Sequence, residues 1–180
     1  PNKASQLAFV SIPGGTYQLG SGEHYMNPAH EVSIEGFEIS TTEVTNSEWA
    51  RFIEETGYVT DAEKLKNAMT FHPGLGEYEW EEDTTANWRH PFGKAQGGIE
   101  GKDDYPVSCV SFKDVLAYCE WAGFRLPTLD EWEVACRAGT DTRHFFASTE
   151  SINDYGNIWQ SRTHKTVEVE EDFLYHSPVK

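Results

Sequence analysis

Cysteine is scarce in this chain: Cys109, Cys119 and Cys136 are the 3 in 180 residues. There is no CxxC spacing among them to support a cysteine-built zinc cluster. Long apolar runs are absent, and nothing approaches the roughly 18 residues of a membrane span. Positive charge is short, with 14 Lys and Arg against 30 Asp and Glu, a formal charge of −16. Such a surface repels phosphate backbones and anionic bilayers, so nucleic acid and membrane are set aside as partners. Paired histidines are missing too. The 7 His, at 24, 30, 72, 90, 144, 164 and 176, form no HxH or HxxxH pair that would hold zinc. There is no GxSxG, phosphate-cradling loop or dinucleotide fingerprint. The "GLG" at Gly74 leads into acidic, aromatic sequence rather than a capped helix. No leader pattern is legible at Pro1, which reads as the start of a trimmed or mature chain.

What the chain has is aromatic mass and sharp local punctuation. The 6 Trp, 8 Tyr and 10 Phe argue for an ordered core, and the length suits one domain or a domain with a piece missing. In the first ~45 residues Val32, Ile34, Phe37 and Ile39 recur at strand-like spacing. Pro13-Gly14-Gly15 marks a turn between short strands. Three helices then share one grammar. Thr45-x-x-Glu48 opens the first, with Trp49, Phe52 and Ile53 inward and Gly57 closing. Ser111-x-x-Asp114 opens the second, with Val115, Leu116, Cys119 and Ala122 inward and Gly123 closing; Asp is the weaker box partner. Thr128-x-x-Glu131 opens the third, with Trp132, Ala135 and Cys136 inward and Gly139 closing. In each, a hydroxyl caps a free amide and a carboxylate three residues on reaches back. A glycine then takes the left-handed closing position.

Between Thr60 and Tyr105 the periodicity dissolves into a long stretch that Phe71, Tyr78, Trp80, Trp88 and Phe92 mark as a packed loop. Within it "TTANWRHPFG" sets an indole, a guanidinium and an imidazole side by side. Arg89 can pair with a carboxylate or stack on a ring, and His90 can titrate near neutrality. The plainer reading is that Asn87, Trp88 and Arg89 pin the loop to the core. The tail "GNIWQ…EVEEDF" offers hard oxygens for calcium in Asn157, Glu168, Glu170, Glu171 and Asp172, with carbonyls at Ile158 and Phe173. A solvated acidic run is the plainer reading there.

In order along the chain stand "FVSIPGGTYQLG", "HEVSIEGFEISTTEVTNSEWARFI", "GYVTDAEK", "ANWRHPFG", "YPVSCVSFKDVLAYCEWAGFRLPTLDEWEVACRAG" and "GNIWQ". Together these blocks resemble the formylglycine-generating enzyme, or sulfatase-modifying factor, family from about Phe9 to Trp159. The resemblance implies an α+β, C-type-lectin-like fold with little regular secondary structure, three short helices and short antiparallel strands. Residues 1–180 would then be a single domain, incomplete at its C-terminus. The resemblance also implies an activity: oxygen-dependent conversion of a cysteine in a sulfatase Cys-x-Pro-x-Arg segment to formylglycine, by a cysteine pair working with copper(I).

That catalytic pair belongs to the family's C-terminal part, beyond the residues here, on the same polypeptide or a companion chain. The resemblance makes Ala62, Asn67 and Ala68 groove residues near the substrate peptide, with Trp88 and Arg89 as supports. It places structural calcium at Asn157, Ile158 and Phe173, with Glu171 or the adjacent Asp172 as carboxylate ligand. Three readings stand for Cys119 and Cys136: buried free thiols; disulfides to partners beyond Lys180 or to each other; or a metal or catalytic role. Cys109 reads as packing. Possible disulfides lean toward an oxidising compartment, secreted or periplasmic. A non-catalytic binding protein on the same scaffold is the alternative function.

Overall fold

The computed structural model describes residues 7–22, 25–142, 144–146, 152–159 and 176–179. They group into two units. One joins Leu7–Thr41 to Arg125–Gly156; the other joins Thr42–Phe124 to the described part of Asn157–Lys180. Short antiparallel strands and few helices make the chain α+β.

The first unit is built on four strands, β1 (Phe9–Ile12), β2 (Gly15–Leu19), β3 (His30–Ile34) and β4 (Phe37–Ser40). β1 pairs with β4, Ile12 opposite Phe37, and β2 pairs with β3, Gly15 opposite Ile34. Both ladders keep the same register, so they are two segments of one bent hairpin. The turn expected at Pro13-Gly14-Gly15 is therefore corrected: the chain bends there and reverses only after Leu19. Pro13 has no amide hydrogen to give a ladder. A Cβ on Gly14 would lie 2.7 Å from the Gly36 amide nitrogen, so the two glycines let the bent strands touch.

Helix α4 (Leu129–Arg137) packs on β2 and β3. Glu133 accepts from the Gly20 amide at 2.8 Å and from Asn27 Nδ2 at 3.1 Å, while Arg137 donates to the Gly20 carbonyl at 2.7 Å. The helix buries Glu131 and Val134. Trp132 and Cys136, expected inward, are exposed, Trp132 by 55%. Hydrogen bonding of Glu133 and Arg137 to the hairpin decides the rotation of this helix, ahead of the larger apolar side chains. The left-handed closing residue is Ala138, one position before Gly139.

The second unit holds α1 (Asn46–Thr56), α2 (Asp61–Leu65), β5 (Ala68–Thr70), β6 (Glu81–Asp83) and α3 (Phe112–Ala122). Its centre is aromatic. Trp49 stacks on Tyr118 at 5.4 Å, and Phe52 meets Tyr118 and Trp49 edge-on. Burial and ring geometry both favour such clusters. The inward stripe of α3 is Asp114, Tyr118 and Ala122. Leu116, expected inward, is 46% exposed because the capping carboxylate takes the buried side of the helix. Gly57 and Gly123 close α1 and α3 as read from sequence. The stretch after Thr60, read as a loop without pattern, contains α2 and the β5–β6 ladder, in which Ala68 faces Asp83.

Candidate functional site

Helix α2 is short, and its ends are fixed by hydrogen bonds rather than by burial of its own side chains. Thr60 is fully buried and caps it; the Thr60 amide and hydroxyl both donate to Glu63 Oε2, at 3.0 and 2.9 Å. The box is the same Thr-x-x-Glu signal that announced α1 and α4, missed in the sequence because only five helical residues follow it. At its far end Lys66 turns left-handed, and its amide donates to the Ala62 carbonyl at 2.9 Å. The chain then passes exposed Asn67 into β5, where Ala68 is half-buried.

Asp114 holds the start of α2 against the start of α3. It is fully buried and accepts from the Tyr58 hydroxyl at 2.9 Å, the Asp61 amide at 3.0 Å and the Ser111 amide at 2.8 Å. Ser111 Oγ donates in turn to Asp61 Oδ2 at 2.8 Å. A carboxylate placed between two helix N-termini satisfies orphan amides of both and sits where the helix dipoles favour negative charge. Burial, and then the bond to Asp114, push the Tyr58 phenol up to about 12.

Glu63 connects α2 to the Trp88–Arg89 loop. Its Oε1 accepts from Arg89 at 3.1 Å, and the Arg89 guanidinium lies 4.1 Å over the Trp88 ring. Arg89 thus makes both contacts anticipated for it. Reciprocal bonds between the Asn87 and His90 backbones pin the loop, at 3.2 and 2.9 Å. Trp88 is buried, its exposure only 2%. Its Nε1 and His90 Nδ1 are buried without a hydrogen-bond partner. The structure therefore gathers Ala62, Arg89 and Trp88 around α2, with Asn67 and Ala68 at the helix's exit. Among the described residues β5 pairs with β6 alone.

None of the three thiols is in a disulfide, so Cys119 and Cys136 are not bonded to each other. Cys109 and Cys119 are half-buried, and burial pushes both thiols up, away from the reactive thiolate. Cys136 lies exposed on α4, in the other unit. Of the expected calcium ligands, Asn157 and Ile158 are exposed, next to Trp159, whose ring meets Phe71 at 5.7 Å. Glu171, Asp172 and Phe173, with Glu168 and Glu170, lie outside the described residues. Among the described residues no group of three or more His, Cys, Asp or Glu is placed to hold a metal, and no helix is long and apolar enough to cross a membrane.

This α+β chain, with its buried capping network at α2 and α3 and its Arg89–Trp88 stack, matches a known family throughout its length. The family model described as sulfatase-modifying factor enzyme 1-like domain covers residues 1–180, and the chain belongs to that family. It is 33% identical over 99% of its length to the formylglycine-generating enzyme of Mus musculus, covering 54% of that protein. It is 37% identical over 95% of its length to the formylglycine-generating enzyme of Streptomyces coelicolor, covering 61%. A third relative, 34% identical over 98% of this chain with 62% covered, is the mouse protein named inactive C-alpha-formylglycine-generating enzyme 2. The chain thus spans roughly half to three fifths of the length of these curated relatives.

Proposed function

We propose that this chain is the peptide-binding portion of a formylglycine-generating oxidase on a C-type-lectin-like scaffold. Its substrate is an extended Cys-x-Pro-x-Arg segment of a sulfatase, whose cysteine is converted to formylglycine with molecular oxygen. The observation that carries this reading is the second edge of β5, which pairs with no strand among the described residues and starts at Ala68 beside α2. An extended peptide can add to such an edge through main-chain hydrogen bonds. Small side chains at Ala62 and Ala68 leave room for it to approach, and Asn67 offers an exposed amide. Arg89, braced by Glu63 and Trp88, stiffens the neighbouring wall.

The redox sulfurs belong to polypeptide outside these residues, on the same chain or on a companion. The three thiols here do not fit a catalytic pair: two are held protonated by burial, and Cys136 lies in the other unit. A soft thiolate pair is the donor set copper(I) prefers, and when bound there the metal supplies the redox chemistry. Calcium fits the other end of the chain in donor chemistry. The Asn157 amide oxygen and the Ile158 carbonyl are hard oxygens, and Glu171, Asp172 and Phe173 would complete a structural site.

The test is to incubate the full-length encoded protein with oxygen and a Cys-x-Pro-x-Arg peptide, then weigh the peptide. A mass change for thiol-to-aldehyde conversion is expected, abolished when the peptide cysteine becomes serine. Peptide binding without any mass change would replace the oxidase reading with a second one, a non-catalytic binder. That reading is favoured by the relative named inactive, which resembles this chain as closely as those named enzymes.

A further inference from the structure

The connection from β5 to β6 begins near His72 and ends at Glu81, and these two residues meet. His72 Nε2 lies 3.0 Å from Glu81 Oε2, and His72 Nδ1 lies 3.0 Å from the Pro73 carbonyl oxygen. A carbonyl and a carboxylate can only accept, so each ring nitrogen needs its own hydrogen. Neutral imidazole has one N–H and would set a lone pair against one of the two acceptors. Two acceptors facing one ring favour the imidazolium.

The charged group facing the ring is Glu81, from β6; Glu79, within the loop, is turned to the Gly76 amide at 2.8 Å. Glu81 is also tied to the ladder, its carbonyl accepting from buried Thr70 at 3.2 Å. The Pro73 carbonyl first, and then Glu81, raise the His72 pKa above its ordinary 6.5.

We propose that His72 and Glu81 form a proton-operated clamp that tightens the 71–81 loop above its ladder while His72 is charged and loosens it when the ring becomes neutral. The loop presents Tyr78, 84% exposed at a left-handed φ of 60°, and Trp80, 61% exposed. The same hairpin carries Ala68, so the clamp regulates one edge of the peptide groove proposed above and, as regulation, rests on that reading. The direction follows from the raised affinity for the proton. The pair's contribution to closure is full below the ordinary pKa of histidine and is lost as pH rises through the higher value of the folded state, while the Thr70–Glu81 pairing at the loop's base persists.

The experiment is nitrogen NMR of the histidine-labelled protein across neutral pH, with amide hydrogen exchange of the 71–81 loop and the affinity of a Cys-x-Pro-x-Arg peptide at each pH. Expected is a His72 ring with both nitrogens protonated past the ordinary range, and loop exchange that quickens several-fold as it titrates. Glu81→Gln, which keeps the ring in place, should lower the His72 midpoint and move the exchange transition with it. Should His72→Gln fold poorly, Glu81→Gln still decides. A His72 midpoint at or below the ordinary value overturns the clamp, as does loop exchange that stays flat through the titration. Peptide affinity separates the two proposals. A working clamp with no peptide bound at any pH sinks the groove, and a bound peptide with flat exchange sinks the clamp.

Discussion

Removing Asp114 tests the reasoning about α2 most directly. In Asp114→Ala the Tyr58 hydroxyl, the Asp61 amide and the Ser111 amide all lose their acceptor. Hydrogen bonds to a charged partner are worth about 1.5–3 kcal/mol each, and a buried donor left unmet costs about 1–3 kcal/mol. The three losses do not add fully, because Tyr58 and Asp61 are only half-buried and water can reach them once the carboxylate is gone. A cost of roughly 3–5 kcal/mol follows, a large share of a typical domain's stability. Asp114→Asn keeps one acceptor oxygen and turns an NH2 toward donors, so it should cost less than alanine but more than a surface change. The measurement is denaturant unfolding followed by circular dichroism, with alkaline difference spectra of Tyr58. Wild-type Tyr58 should ionise near 12, and Asp114→Ala should bring it down. Because the folded phenol holds its proton more tightly, its contribution is complete below pH 10 and fades as pH climbs toward about 12. A loss below about 1 kcal/mol in Asp114→Ala, with the Tyr58 titration unmoved, would refute the claim that one buried carboxylate anchors α2.

Gly14→Ala should destabilise the bent hairpin by about 1–3 kcal/mol, since the new Cβ meets Gly36 backbone that cannot yield; thermal melting checks it. Acid should weaken the first unit. The bonds from Arg125, and then the Thr128 amide, hold the Glu131 carboxyl at about 2, so its stabilisation is full above about pH 4.5 and fades as pH falls toward 2. Arg125→Ala should move that loss to higher pH in an acid titration. Alkylation at neutral pH, read by peptide mapping, should modify exposed Cys136 well before Cys109 and Cys119; equal rates would contradict the burial of those two. If the calcium reading holds, chelator should lower the melting temperature of the full-length protein and added calcium should raise it in proportion to log concentration.

Helix starts were legible because a capping box is local: four residues carry it, and all three boxes read from sequence form as written. The faces those helices bury were less legible, since burial is decided by what lies opposite. Leu116, Trp132 and Cys136 look inward by apolar periodicity, yet Asp114 on α3 and Glu133 with Arg137 on α4 set the rotation through bonds to residues far off in sequence. Asp114 reaches Tyr58 and Asp61 across more than fifty positions, which no window of sequence can display. Pro13-Gly14-Gly15 signals a turn, and that the chain only bends there is explained by Gly36 once the partner strand is in place. At the site, Arg89's two contacts were readable from its chemistry, and the burial of Trp88 agrees with its reading as a residue that pins the loop to the core. The His72–Glu81 pair gave no signal, having neither motif nor periodic spacing.

All four α-helices of the described residues begin with a reciprocal capping box, while every ladder among those residues is two-stranded. These are opposite ways of encoding structure. A boxed helix specifies its own start, so its position depends mainly on a few buried bonds such as those of Asp114 and Glu133. A two-stranded ladder is marginal alone and gains its stability from what packs on it or pairs with its edge. For the peptide groove proposed above, the division would make one side rigid and leave the other receptive. In that proposal α2, Arg89 and Trp88 are the fixed side, joined by the Glu63–Arg89 bond and the Arg89–Trp88 stack, and the second edge of β5 is the side that would gain from one more strand. If peptide binding is strand addition of this kind, N-methylating the peptide's backbone amides should weaken it even where every side chain is kept. Binding that survives such methylation would transfer recognition from the β5 edge to side chains such as Asn67 and Arg89.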